Sequence, residues 1–253
     1  MNALAPLIAF DLDDTLAASK SPVDPRMLRL IERLLERGEV AVISGGNFTQ
    51  FQAQLLERLG ALDEAHLDRM HLLPTCGTQY YRRAHGEWVA LYREELTTDQ
   101  TERAMTALRE EAARLGLWEA EPWGDILEDR GSQVTFSALG QRAPVDAKHA
   151  WDPDSSKKSA LRDAVAARLP DLEVRSGGST SVDITRKGID KAYGMRKLAA
   201  ESGVSLDDML FVGDRLDPDG NDYPVLAMGV ATHAVTGWED TAAFLETLLN
   251  PES

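Results

Sequence analysis

The sequence predicts an α/β protein, with a doubly wound, mostly parallel sheet as its core and an α+β segment inserted into that core. Short apolar runs alternate with helical patterns near both ends of the chain, and strands of hairpin type lie between them. With 253 residues, 43% of them hydrophobic, the chain is long enough to form both a packed core and an insert.

The first half of the core is predicted from the start of the chain. Residues 7–10 form a short apolar run that ends in acids, which is typical of a buried parallel strand. Asp24 and Pro25 begin a helical pattern, because proline is favoured in the first turn of a helix, and Gly38 ends it. The next predicted elements are a buried strand at 40–43, a tight turn at 44–47 and a helix at 48–59.

Between residues 79 and 186 the pattern changes to antiparallel-looking strands mixed with helices. The predicted elements are strands 79–83 and 87–92, helix 97–115, strand 133–137, helix 157–169, and strands near 172–174 and 182–184. The polar stretch 146–156 is expected to be a loop. We therefore predict a cap at 79–186 within a core made of 1–78 and 187–253.

The core pattern returns after the cap. A helix is predicted first, and the buried strand that follows it ends in Gly213 and Asp214. The predicted elements are helix 190–200, strand 209–212, a short strand at 228–231 and helix 238–249.

Composition narrows the range of functions. Lys and Arg total 27 against 42 Asp and Glu, a net charge of −15, which argues against binding nucleic acid or anionic membranes. The chain has no apolar stretch of about 18 residues and no basic leader, so neither a membrane span nor a signal peptide is expected. The single Cys76 excludes an internal disulfide, and a cytoplasmic location is the simplest expectation.

Three acids lie where the first strand meets a loop: Asp11, Asp13 and Asp14. Ligands of doubly wound sheets bind beyond the carboxyl ends of the strands. Crowded carboxylates there favour a hard cation, and Mg²⁺ is the natural one. One acid can attack phosphorus while another transfers a proton. The alternative is an acidic loop that only caps a helix.

A second acidic loop follows the strand at 209–212. If the two strands are adjacent and parallel, Asp214 lies near Asp11 and is the better candidate metal ligand. Asp222 and Asn221 are predicted to support the metal or to bind it as alternatives. The remaining acids of the loop are expected to be solvated: Asp217 and Asp219.

A phosphoryl group in so acidic a site needs hydrogen-bond donors and a cation. Ser44 offers a hydroxyl, and the amides of Gly45 and Gly46 lie at the start of a helix, where anions bind. Lys191 lies in the first turn of a helix, where the macrodipole disfavours a cation, so a functional role is plausible. An ordinary turn and a solvent-facing lysine are the alternatives.

Together these motifs resemble the haloacid dehalogenase superfamily of phosphotransferases. The motifs that carry the resemblance, in order, are Asp11-Leu12-Asp13-Asp14-Thr15, Ser44, Lys191, and Gly213-Asp214 with Asn221-Asp222. The position of the insert resembles the type IIB cap subgroup. Within it, the likeness is greatest to eukaryotic-type phosphomannomutases and related sugar-phosphate phosphatases. It lies in the turn at 44–48 followed by Gln52, Gln54 and Leu55, in the segment 177–193 and in the loop 213–222.

The resemblance implies a role for each matching residue. Asp11 would be the nucleophile, and Asp13 the general acid and base, with its carbonyl on Mg²⁺. The other implied roles are metal binding by Asp11 and Asp214, phosphoryl binding by Thr15, Ser44 and Lys191, and sugar-phosphate contacts by Ser181 and Asp183.

The chain departs from the mutases at several positions. Their caps carry arginines that bind a second phosphate. Arg130 matches one of these, but Trp123 stands at another, and Gln141 stands at a third with Arg142 displaced from it by one position. Weakened cap charge favours hydrolysis. We therefore expect a Mg²⁺-dependent phosphatase that hydrolyses a small phosphoester, above all a sugar phosphate, through an aspartyl-phosphate intermediate, and that acts as a monomer or homodimer. A sugar-phosphate mutase and a non-catalytic sugar-phosphate sensor are the alternatives. Asp14 replaces the glycine usual in that family.

Overall fold

The strands fall into two separate sheets in a computed structural model of the chain, which describes residues 4–59 and 62–250. The strands are β1 Leu7–Phe10, β2 Glu39–Ile43, β3 Met70–Leu73, β4 Gln79–Ala84, β5 Glu87–Arg93, β6 Leu127–Asp129, β7 Val134–Ser137, β8 Leu172–Ser176, β9 Ser181–Arg186, β10 Met209–Gly213 and β11 Ala231–Ala234. One sheet has the order β11-β10-β1-β2-β3-β4-β5, and the other has the order β6-β7-β9-β8.

The helices connect these strands and cover their faces. They are α1 Pro25–Leu35, α2 Phe48–Phe51, α3 Glu57–Leu59, α4 Glu64–Leu67, α5 Thr98–Arg114, α6 Val145–Trp151, α7 Ser156–Arg168, α8 Lys191–Ser202, α9 Tyr223–Ala227 and α10 Trp238–Leu249. A π-helical turn, Gln52–Leu56, joins α2 to α3, and 3₁₀ turns lie at Thr75–Gly77 and Leu206–Asp208. None of these helices is both long and apolar enough to cross a membrane.

The seven-stranded sheet is parallel from β11 to β3, as predicted for a doubly wound fold. Its central strands are almost entirely buried because apolar side chains cover both faces. Phe10 and Val42 belong to the cluster on one face, and Ala9, Ile43 and Phe211 to the cluster on the other. The sequence of β1 is therefore a continuous apolar run without alternation.

The chain divides into two units, Met1–Arg93 with Asp190–Ser253, and Glu94–Ile189. The sequence placed the start of the insert at 79 and its end at 186. The hairpin of β4 and β5 instead extends the large sheet, because β4 pairs antiparallel with β3. The insert therefore begins after Arg93, one hairpin later than expected.

The second unit has a four-stranded antiparallel sheet with α5 and α7 packed on one face. Side chains alternate along the two central strands. Val134, Phe136, Val182 and Ile184 join the apolar cluster with the helices. The intervening residues form a polar face of this sheet, and they include Thr135, Ser137, Ser181 and Asp183.

Two predicted elements were wrong. The stretch 146–156 is not a loop: α6 covers Val145–Trp151, because Pro144 fixes the backbone where the helix begins and Lys148 is buried. The last strand is at Ala231–Ala234 rather than 228–231, because α9 precedes it and Gly229 turns the chain with a φ of +91°.

Helix α8 is packed unusually close to the turn at Thr75–Gly77. The three residues of this turn are left-handed, with φ of 49°, 55° and 84°. A Cβ on Gly194 would lie 2.9 Å from the carbonyl oxygen of Cys76 and 3.1 Å from Ile43 Cγ2. Only glycine allows this approach, so Gly194 sets the position of the helix that begins with Lys191.

We predict that Gly194→Ala destabilises the protein by about 1–3 kcal/mol, because overpacking outweighs the helix propensity of alanine, worth about 1 kcal/mol. Urea denaturation followed by circular dichroism measures the difference. Gly178→Ala is the control, since a Cβ there meets no atom within 4 Å, and its effect should stay within about 0.5 kcal/mol. A Gly194→Ala variant as stable as the wild type would contradict the close packing.

Candidate active site

The ends of three neighbouring strands bring the predicted residues together. Asp11 directly follows β1, and its amide donates to the Val212 carbonyl at 3.0 Å, which continues the ladder to β10. Asp214 directly follows β10, and Ser44 directly follows β2. The prediction that parallel neighbours place Asp214 near Asp11 is therefore confirmed.

Lys191 is the cation at the centre of this site. Its side chain is fully buried, and its Nζ lies 2.7 Å from Asp11 Oδ1 and also forms an ion pair with Asp222 Oδ1. The amide of Arg215 donates to the other Asp222 oxygen at 3.1 Å. Lys191 is thus an interior residue, and not the solvent-facing lysine that the sequence left as an alternative.

Asp11, Asp214 and Asp222 each offer a carboxylate oxygen within 4.8 Å of the others. Three acids and one lysine leave an excess of negative charge in a largely buried place. A hard divalent cation with oxygen ligands offsets such an excess, so these residues fit Mg²⁺. Because Asp222 is already bonded to Lys191 and to the Arg215 amide, Asp11 and Asp214 are the better candidates for direct ligands.

The electrostatics agree with this excess of charge. Burial raises the pKa of Asp11 well above its ordinary value; Lys191 lowers it, and Asp222 and Asp214 raise it further. Burial likewise raises the pKa of Asp214 to about 6, with Lys191 opposing and Asp222 and Asp14 adding to the shift. Burial would lower the pKa of Lys191, but Asp11 and Asp222 outweigh it and raise that pKa.

The predicted phosphate-binding groups lie around these acids. Thr15 is fully buried, and its hydroxyl donates to Asp214 Oδ1 at 3.4 Å. Ser44 Oγ accepts from the Gly46 amide at 3.1 Å, so this turn is held partly by its own hydroxyl. Gly45 lies between them, ahead of α2, whose N-cap is Asn47.

Asp13 is placed differently from the other acids. Its carboxylate accepts from the Lys20 amide at 2.6 Å, from Gln50 Nε2 at 2.9 Å and from Gln54 Nε2 at 3.1 Å. It is outside the group of three carboxylates that the described residues bring together. The metal contact expected of Asn221 stays a prediction. The predicted metal contact of Asp13 involves its main-chain carbonyl, and it stays a prediction.

Asp14 occupies a backbone position that suits glycine. Its φ is +58°, in the left-handed region, which aspartate tolerates better than most residues. Its Oδ1 also accepts from the Ser19 amide at 3.0 Å. This local hydrogen bond gives aspartate a structural reason to replace the glycine expected from the resemblance.

Arg130, Ser181 and Asp183 all lie in the second unit. Ser181 and Asp183 are on β9, and Thr135 Oγ1 donates to Asp183 Oδ1 at 2.8 Å. Arg130 follows β6, and its guanidinium forms two hydrogen bonds of 2.8 and 2.9 Å with Glu128. Sequence reasoning named Arg130 but missed this carboxylate partner.

Sequence reasoning also missed the contact of Gln50 and Gln54 with Asp13, although Gln54 was part of a motif. A pair of glutamines four residues apart on a helix, directly after the glycine turn, was the available signal.

Of the loop acids expected to be solvated, Asp217 is half-exposed and pairs with Arg215 at 2.8 Å.

Comparison with known proteins points to one family. A family model for eukaryotic phosphomannomutase matches residues 27–251. Human phosphomannomutase 1 is 24% identical over 98% of this chain and 93% of its own length. A probable phosphomannomutase of Caenorhabditis elegans is 24% identical over 96% of this chain and 95% of its own length.

Solved structures show the same fold. A haloacid dehalogenase-like hydrolase from Bacteroides thetaiotaomicron has a TM-score of 0.59 at 16% identity, covering 97% of this chain and all of its own. An N-terminally truncated IMP-nucleotidase from Plasmodium falciparum has a TM-score of 0.70 at 13% identity, covering 96% of this chain and 69% of its own.

We predict that Mg²⁺ raises the thermal stability of the wild type and that Asp214→Asn removes most of the gain. A ligand at about 100 times its dissociation constant stabilises by about 2.7 kcal/mol. Calorimetry with and without Mg²⁺ measures the effect. Asp217→Asn in the same loop is the control and should keep the gain. Equal gains in both variants would contradict Asp214 as a ligand.

Without divalent cations, the charged form of Asp214 is disfavoured in the fold. The pKa of this carboxyl group is about 6 in the folded protein and 3.8 in the unfolded chain. The folded protein therefore becomes less stable as the pH rises between those two values. We therefore expect the free energy of unfolding, relative to Asp214→Asn, to fall from pH 4 to pH 7 by a few kcal/mol at most. Urea titrations in EDTA at several pH values measure this difference, and a flat difference would contradict it.

Proposed function

Because the chain belongs to the eukaryotic phosphomannomutase family of the haloacid dehalogenase superfamily, we propose that Asp11 accepts the phosphoryl group of a small phosphorylated sugar. The observation that carries this proposal is the buried ion cluster of Lys191 with Asp11 and Asp222, with Asp214 within 4.8 Å. It leaves a carboxylate oxygen of Asp11 beside a fixed cation, which suits attack on phosphorus.

The chain's own residues account for both halves of the reaction. Asp11 Oδ forms a bond to phosphorus while the bond to the leaving sugar oxygen breaks, and Asp13 donates a proton to that oxygen. Water then attacks the aspartyl phosphate, Asp13 takes its proton, and Asp11 is restored with release of phosphate. Lys191 offsets the charge of the phosphoryl oxygens, and Thr15 and Ser44 donate to them. Mg²⁺ held by Asp11 and Asp214 would add further neutralisation of that charge.

Hydrolysis is our first proposal for the fate of the phosphoryl group. The second phosphate of a mutase intermediate needs cations in the insert, as the resemblance implies. Arg130 is joined to Glu128 by two hydrogen bonds, and Gln141 donates to Ser137 Oγ at 3.0 Å where an arginine is expected. These partners favour a hydroxyl-bearing group over a second phosphate. Ser181 and Asp183 remain the proposed sugar contacts.

Mutase activity is the second proposal. The matching family model and the curated relatives named above are phosphomannomutases. A mutase would return the phosphoryl group from Asp11 to another hydroxyl of a bound sugar, and the residues around Asp11 serve either acceptor.

We expect phosphate release from hexose 1- and 6-phosphates in the presence of Mg²⁺, and a loss of at least about 10³-fold in Asp11→Asn. Phosphate and sugar isomers are measured together, with and without a hexose bisphosphate activator, and inosine monophosphate extends the panel. Asp219→Asn, in the second acidic loop, is the control variant.

The products separate the proposals. Free phosphate supports the phosphatase, whereas isomer formation without phosphate release supports the mutase. Binding without turnover on the whole panel would instead identify a sugar-phosphate sensor. Substantial turnover by Asp11→Asn would contradict a covalent role for Asp11.

A further inference from the structure

We propose that Gln50 and Gln54 are positioning residues that aim the Asp13 carboxylate for proton transfer. This inference rests on the role proposed for Asp13 above. Gln50 Nε2 donates to one oxygen of Asp13 at 2.9 Å, and Gln54 Nε2 donates to the other at 3.1 Å. The two amides therefore grip both oxygens, which fixes the plane of the carboxylate.

The two glutamines also fix each other. Gln50 Nε2 donates to Gln54 Oε1 at 2.8 Å, and Gln54 Nε2 donates to the Ser21 carbonyl at 3.0 Å. Each NH₂ group thus uses both of its hydrogens, one toward Asp13 and one elsewhere. A flipped Gln54 amide would place its oxygen against Asp13 and against the Ser21 carbonyl, so only one orientation is allowed.

The backbone around the pair holds it in place. Gln54 lies in the π-helical turn and is only 2% exposed, and its carbonyl accepts from the Val23 amide at 2.8 Å. Single π-helical turns inside helices are frequent at functional sites. A Cβ on Gly46 would lie 2.5 Å from Gln50 Oε1, so glycine at that position leaves the room that the Gln50 amide occupies.

An amide buried to this extent is not explained by packing alone. Its neighbours Phe51 and Leu55 are fully buried apolar residues, and leucine would serve the core at that point with no polar group to satisfy. The side-chain amide of Gln54 instead donates to Asp13 and to the carbonyl of Ser21. The pair therefore ties the candidate acid and base to a rigid helix. Together with the Lys20 amide, which donates to Asp13 Oδ1 at 2.6 Å, it sets the direction of the Asp13 oxygens.

The test compares two substrates that differ in their need for an acid. Transfer from a hexose 6-phosphate expels a poor leaving group that needs a proton, whereas p-nitrophenyl phosphate expels a good one. The quantity kcat/KM covers only the steps through transfer to Asp11. We expect Gln54→Leu to lower kcat/KM at least about 10-fold for the sugar phosphate and less than about 3-fold for p-nitrophenyl phosphate.

Two further variants complete the design. The matched control is Gln52→Leu, which replaces an exposed glutamine of the same helical stretch. It should leave kcat/KM unchanged for both substrates. Gln50→Leu removes a less buried donor and should show the selective loss at reduced size, which keeps the test decisive should Gln54→Leu fail to fold. A general loss of structure would lower kcat/KM for both substrates by the same factor. That result in both glutamine variants would overturn the inference.

Asp13→Asn separates this inference from the function on which it rests. If Asp13→Asn shows the selective loss and the two glutamine variants do not, the positioning role is overturned and the proposed function stands. If Asp13→Asn lowers kcat/KM equally for both substrates, Asp13 is not the acid, and the proposed role of Asp13 fails together with the inference. The selective loss in all three variants supports both.

Discussion

The ion cluster around Lys191 is the constraint on which the rest of the site depends. A lysine and two carboxylates with almost no exposed surface are stable only if each satisfies the other, because an unpaired charge in the interior costs several kcal/mol. Lys191 therefore fixes Asp11 and Asp222 at once. Every other group around Asp11 is arranged about an acid whose position is already set by this cation.

Support for the cluster comes from packing on one side and hydrogen bonds on the other. The contact of Gly194 with the left-handed turn at Thr75–Gly77 holds α8 against the large sheet, and so places Lys191 at its first residue. The Arg215 amide holds the far oxygen of Asp222. A site with excess negative charge is thus built on rigid elements, and a bound cation would stabilise it.

The sequence was sufficient for the parts of the site that are local or topological. Asp11, Ser44 and Asp214 each follow an apolar strand, and the parallel order of a doubly wound sheet brings such strand ends together. The sequence was insufficient where a side chain contacts a residue on another strand, helix or loop. The Glu128 partner of Arg130 and the amides on Asp13 depend on side-chain directions, and the helix at Val145–Trp151 forms in a segment whose polar composition favours a loop.

The position of the insert also has a consequence for biosynthesis. Strand β1 leaves the ribosome about two hundred residues before its neighbour β10, whereas the whole of Glu94–Ile189 is contiguous. The insert can therefore complete its fold while the larger unit still presents the open side of a central, wholly apolar strand. Until β10 has been translated, the nascent chain carries an unpaired apolar strand edge, which is the kind of edge that promotes aggregation.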